Sequence, residues 1–154
     1  MPQKIKVFLS YAHEDEAMKD RLDKNLVMLK RSEKVEVWED RKIIAGMEWD
    51  HSITRALAEA DIILLLISTD FNNSEYIWNK ELKTALERHE KNEARVIPVI
   101  LRTCDWNQSP YAKLQALPTG AKPISSFADA DEAYTDIAKG IRMVVDYMLS
   151  QKNK

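Results

Sequence analysis

The chain has 154 residues, the length of one domain with a substantial core, and an ordinary balance of 45% apolar and 31% charged residues. Its net charge of −2, without a basic run, argues against nucleic acid or an anionic membrane as partner. A lone cysteine, Cys104, with no apolar N-terminal segment, points to a reducing cytoplasm, and none of the three glycines stands in a phosphate-cradling pattern.

Ile5 to Ser10 reads as a short first strand. Tyr11 to Asp15 follow as a loop and acidic helix start, and Met18, Leu22, Leu26 and Leu29 recur at helical spacing. Val35 to Trp38 is a second strand. Glu39 to Gly46 is a polar loop containing Asp40, Arg41 and Lys42. Trp49, Ile53, Leu57 and Ala60 mark a second helix. Ile62 to Ile67 is apolar without alternation, as in a strand buried on both faces of a parallel sheet. A third helix runs from about Ser74 to about Glu90, with Trp78, Leu82, Ala85 and Leu86 on one face. Arg95 to Leu101 is a fourth strand, whose Pro98 suits an edge or a bulge. Arg102 to Gly120 is irregular, Lys122 to Ile124 reads as a short fifth strand, and Tyr134, Ile137, Ile141, Val145 and Met148 close the chain on an amphipathic helix. Residues 1–154 thus read as one domain, whose polar end suits a natural terminus or the start of a linker.

Alternating strands and helices imply a parallel sheet with helices on both faces. In a flavodoxin-like, five-stranded sheet of order 2-1-3-4-5, ligands bind beyond the carboxyl ends of strands one and three, where strand order reverses. The loops brought there are Ser10 to His13 and Ser68 to Ser74, with Glu39 to Gly46 leaving the same edge.

The stretch from Ser68 to Glu81 carries most of the chemistry. It joins a buried strand to a helix through serine, asparagine and aromatic residues, among them Ser68 and Phe71. Glu81 borders the apolar stripe of its helix, about 60° from Trp78 on an ideal wheel. It suits a catalytic carboxylate, or a surface glutamate paired with Lys80 or Lys83. Trp78 suits the core, or a platform for a flat cationic heterocycle. Asp40, Arg41 and Lys42 suit a solvated loop, or a flap whose cations hold phosphates. His13, His51, His89 and Cys104 show no metal-ligand spacing, and Ser10 and Ser68 lack a His–Asp pattern for a nucleophile. Strands one and three end on Ser10-Tyr11 and Ser68-Thr69, which argues against a phospho-acceptor receiver domain.

Val7-Phe8-Leu9-Ser10-Tyr11 resembles the first box of Toll/interleukin-1 receptor (TIR) domains. Trp38-Glu39-Asp40-Arg41 through Ala45-Gly46, Leu65 to Ser68 with Glu81-Leu82, and Arg95 to Ile100 are similar to later motifs of that family, in order. The closest flavour is the bacterial type. The resemblance implies cleavage of NAD, as substrate and not cofactor, to nicotinamide and ADP-ribose products, with Glu81 as the single essential glutamate. It places Ser10, Tyr11, Asp40, Arg41, Lys42, Gly46 and Trp49 near substrate, joined by Ser68, Phe71 and Trp78 from the central stretch. It further implies self-association, a role in antiphage defence, and a sensor domain in the same chain or a partner, such as a cyclic-dinucleotide sensor of the STING-like kind. The rival expectation is a non-catalytic scaffold acting by TIR–TIR contact; a weaker one is a nucleoside deoxyribosyltransferase-like enzyme. In NAD-cleaving members a tryptophan commonly lies four residues before the glutamate. Here Ile77 holds that place and Trp78 lies three before.

Overall fold

The computed structural model describes residues 4–38, 46 and 48–152. Four strands, β1 (Ile5–Ser10), β2 (Val35–Trp38), β3 (Ile62–Ile67) and β4 (Arg95–Ile100), form a parallel sheet of order β2-β1-β3-β4. The helices are α1 (Glu16–Asn25), α2 (Val27–Arg31), α3 (Trp49–Glu59), α4 (Thr69–Asn73), α5 (Lys83–Glu90) and α6 (Ala130–Lys152).

All six residues of β3 have zero exposure, and the strand sends alternate side chains into two cores. Ile62, Leu64 and Leu66 meet Leu22, Leu26 and Leu29 of α1 and α2 together with Tyr134, Ile137, Ile141 and Val145 of α6. Ile63, Leu65 and Ile67 meet Ile53 and Leu57 of α3 and Ile77, Leu82 and Ala85. Two faces that both need apolar cover explain the unbroken run, since alternation survives only where one face meets water. At roughly 1.5–3 kcal/mol per buried aliphatic side chain, this strand makes a large local contribution to the fold.

The fifth strand expected at Lys122 to Ile124 is not formed, and the sheet has four strands among the described residues. Ile124–Ser126 is instead a single 3₁₀ turn. The outer edge of β4 is met by one residue, Leu117, which accepts from the Ile100 N–H (2.8 Å) and donates to the Pro98 carbonyl (2.9 Å). The next donor on that side, the Thr119 N–H, goes instead to Asp136 Oδ2 (2.6 Å), so the ladder has no next rung. Pro98 sits in β4 with its carbonyl facing this edge, so its missing N–H faces away from β3 and costs the sheet no bond.

The third helix also differs from expectation. Ser68 caps α4, its Oγ accepting from the Phe71 N–H (3.1 Å), and Ser74 starts a second segment by accepting from the Ile77 N–H (3.2 Å). Ile77–Leu82 is then π-helical before α5 begins. A π segment closes i→i+5 bonds and so holds more than four residues per turn. A residue four before Glu81 therefore falls more nearly on its face than a residue three before.

Two tyrosine hydroxyls are buried deep in the two cores. Burial pushes Tyr111 up to about 12, against the opposing effect of its hydrogen bond to Asn72 Oδ1 (2.5 Å), and burial likewise raises Tyr134. An acid whose folded pKa exceeds its unfolded value keeps its proton longer in the folded state. Stability is therefore expected to fall as pH rises from about 10 to about 12, by up to roughly 1.4 kcal/mol per unit per proton. Urea melts at stepped alkaline pH check this, and Tyr111→Phe should flatten the slope.

Candidate functional site

Strand order reverses at β1, which has β2 on one side and β3 on the other. The loops leaving β1 and β3 must diverge there, and a cleft of about 470 Å³ opens at that point. Phe8 and Leu9 of β1 floor it, and Tyr11, Ala12, His13 and Glu14 form one wall. Trp49 and Ile53 from the start of α3 form a second. Asp70, Asn73, Ser74, Tyr76, Ile77 and Glu81 form the third.

Glu81 is only 7% exposed and lines this cleft from the π segment. Single π turns inside helices occur often at functional sites. Ile77 lines the cleft beside it, whereas Trp78 does not. Trp78 packs, partly buried, against the β3–α3–α5 core, as the wider π turn requires.

The aromatic surface of the cleft comes from other residues. The rings of Trp49 and Tyr76 meet at 4.9 Å between centroids with an interplanar angle of 40°. The Tyr76 hydroxyl donates to Asp50 Oδ1 (2.9 Å), which ties the α3 start to the helix of Glu81. Trp49 is half exposed, although helical spacing placed it on the apolar stripe of α3. Tyr11 lies under the Lys19 ammonium, 5.0 Å from its ring centroid. Lys19 is 4% exposed and pairs with Asp20 (2.8 Å), so the Tyr11 ring is backed by a buried charge.

Ser68 and Phe71 serve the scaffold. Phe71 has zero exposure and meets Tyr111 edge-to-face at 6.1 Å. The Ser68 hydroxyl donates to Asp15 Oδ2 while capping α4. Asp15, 2% exposed, also receives Arg102 Nη2, and the same nitrogen reaches Asp70 Oδ2 at 2.9 Å. Burial works against the Arg102 charge, but Asp70 and Asp15 outweigh it and hold its pKa above the usual arginine value. Ser10 is wholly buried at the end of β1, its Oγ without a partner among the described residues. Gly46 is exposed with φ +91°, a backbone that only glycine adopts without strain. Asp40, Arg41 and Lys42 lie outside the described residues.

The cleft's described lining carries three carboxylates, Glu14, Asp70 and Glu81, and His13, but no lysine or arginine. Asp70 is already paired with Arg102 (2.9 Å), so the charge this lining offers a cationic group comes from Glu14 and Glu81. His13, Glu14, Asp70 and Tyr76 were not singled out from the sequence as ligand-binding residues. Their only signal was position: His13 and Asp70 lie in the two loops that strand order carries to the crevice, and Glu14 and Tyr76 just beyond them.

Residues 7–138 match the protein-family model described as TIR domain. The chain belongs to the TIR domain family. Among curated proteins it is similar to y4lF, described as an uncharacterized protein, of Sinorhizobium fredii (strain NBRC 101917 / NGR234), with 48% identity over 136 residues. That alignment takes in 88% of this chain but 42% of the relative, so the TIR domain spans less than half the length of the protein it matches. TIR domains commonly self-associate. No helix among the described residues of this TIR domain is long and apolar enough to cross a membrane.

Proposed function

We propose that this TIR domain cleaves NAD at the nicotinamide–ribose bond, as a cytoplasmic effector of bacterial antiphage defence that self-assembly switches on. The observation that carries this reading is Glu81, a nearly buried carboxylate opening into an aromatic, cation-attracting cleft at the switch point of the sheet. Nicotinamide is bound in NAD as a positively charged pyridinium. The pyridinium suits the Trp49–Tyr76 surface by stacking and the Glu14 and Glu81 carboxylates by charge.

The chemistry needs one carboxylate. As the C–N bond breaks, its electron pair passes to the pyridinium nitrogen and nicotinamide departs neutral. No general acid is required, in contrast to glycosides with their poor leaving oxygen. The ribose is left with oxocarbenium character, which the Glu81 carboxylate opposes with its negative charge. Water then attacks the anomeric carbon and gives up a proton.

The diphosphate calls for cations that the described lining lacks. We assign that task to Arg41 and Lys42, which follow β2 in the sequence. Arg41→Ala with Lys42→Ala is expected to raise KM for NAD about tenfold and leave kcat within a factor of two, as loss of charge-assisted contacts to a non-reacting group would. Steady-state kinetics at fixed ionic strength checks this.

The length of the relative beyond the shared region suits a sensor domain in the same chain, which would supply the trigger and drive the clustering. The reading is tested by incubating concentrated or artificially clustered protein with NAD and measuring nicotinamide release. A clustered wild type that releases none overturns the enzyme reading and leaves the non-catalytic scaffold.

A further inference from the structure

The cleft's first and third walls come from segments far apart in sequence, the turn after β1 and the helix after β3. One guanidinium ties them together. Arg102, just beyond β4, contacts the buried Asp15 at the end of the first wall and Asp70 on the third. Asp15 is joined through its other oxygen to the Ser68 hydroxyl, which in turn caps α4. The chain of contacts thus runs Asp70–Arg102–Asp15–Ser68–Phe71 N–H and returns to the helix it started from.

A fold-stabilising pair would need only Asp15 and Arg102, since one cation satisfies one buried carboxylate. The second carboxylate, Asp70, is about one-third exposed and lies in the cleft, four residues before Ser74 starts the segment that carries Glu81. Arginine suits this bridging because the two N–H groups of its Nη2 lie at fixed angles in the guanidinium plane, one for each carboxylate, whereas a lysine acts as a point charge on a flexible stem.

We propose that Arg102 is a positioning residue of this site: by bridging Asp15 and Asp70 it sets the distance between the His13–Glu14 wall and the helix leading to Glu81. The proposal rests on the NAD-cleaving reading for its kinetic consequence but not for its structural one. Arg102 does not touch substrate; it acts through the two walls. A shift of about 1 Å between reacting groups can cost on the order of 10²-fold in rate.

The experiment compares wild type with Arg102→Lys, which keeps a charge for Asp15, and Asp70→Asn, which leaves the Arg102–Asp15 pair intact. Nicotinamide release from clustered protein is read alongside amide hydrogen exchange. The expected result is a kcat lowered about tenfold or more in both variants, with KM for NAD within about twofold. Amide exchange should rise together over residues 13–16 and 69–73 while β3 stays protected. A raised KM with unchanged kcat would make Asp70 a substrate contact and overturn the positioning role. So would wild-type kinetics in both variants. If wild type itself cleaves no NAD, the enzyme reading fails, and the exchange data still decide the bridge. Exchange that rises throughout the chain, or at neither wall, overturns the proposal.

Discussion

Glu81→Gln is expected to lower NAD cleavage by about 10²–10³-fold while the domain keeps its fold. Glutamine matches glutamate in volume and can occupy the same nearly buried position, so no cavity forms beside Ile77 and Leu82. The charge is what disappears. Removing one preorganised group that stabilises transition-state charge typically costs about 2.7–4 kcal/mol, which is this range of rate. The loss should fall on kcat, because the oxocarbenium charge exists in the transition state and not in bound NAD. Nicotinamide release from clustered protein, with thermal melts of both forms, provides the measurement. A glutamine variant as active as wild type would remove Glu81 from the chemistry. A variant that abolishes a cellular phenotype while wild type has no NAD turnover would point to a role in assembly.

Trp49 and Trp78 are expected to respond in opposite ways to alanine substitution. Trp49 is half exposed, lines the cleft and meets Tyr76 at 4.9 Å. Trp49→Ala should raise KM for NAD about tenfold, the equivalent of a cation–π contact of about 1–2 kcal/mol, with little change in melting temperature. Trp78 is packed against the β3–α3–α5 core and is absent from the cleft lining. Trp78→Ala should cost about 3 kcal/mol of stability, at the low end for a buried tryptophan, and leave kcat/KM per folded molecule within a few-fold. Denaturant melts and steady-state kinetics on both variants separate the two. If Trp78→Ala raised KM and Trp49→Ala did not, stacking would belong to the helix of Glu81 after all.

The reason Trp78 lies outside the cleft is backbone geometry. On an ideal α-helix, residues three and four before Glu81 both lie near its face, and sequence alone leaves Trp78 as a candidate platform. In the π segment Ile77–Leu82 the wider turn brings Ile77 into the cleft with Glu81. No single residue in Ile77-Trp78-Asn79-Lys80-Glu81-Leu82 announces a π turn. It is settled by how Ile77, Leu82 and Ala85 seat against β3 and α3. The bridge from Asp15 through Arg102 to Asp70 was hidden for a similar reason. Its members lie 87 and 32 residues apart, and nothing local marks a loop arginine as the partner of a distant carboxylate.

Other features were legible because their cause is local. The unbroken apolar run of β3 states that two faces need cover, and two cores cover it. Pro98 suits a strand with one side free of a full ladder, and among the described residues β4 is an edge met by the single bridge of Leu117. Alternating strands and helices imply a parallel sheet, its first four strands have the order 2-1-3-4 of the flavodoxin-like arrangement, and that order carries the loops after β1 and β3 to one crevice. The fifth strand is not formed because a three-residue run around Pro123 is too short to outweigh turn chemistry, and beyond the residue that reached the edge, Leu117, the next donor, Thr119 N–H, goes to Asp136.

By itself, then, the sequence determined the family, the parallel sheet, the location of the crevice and the presence of Glu81 on its border. The sheet and the crevice follow from period, run length and residue order, and the family from motifs that resemble its boxes. Only the tertiary structure decided which aromatic residues face the cleft, that Ser68 and Phe71 belong to the scaffold, and that Arg102 joins two walls. Those depend on a one-residue change in helical turn and on contacts between distant segments, which exist only after the core has closed.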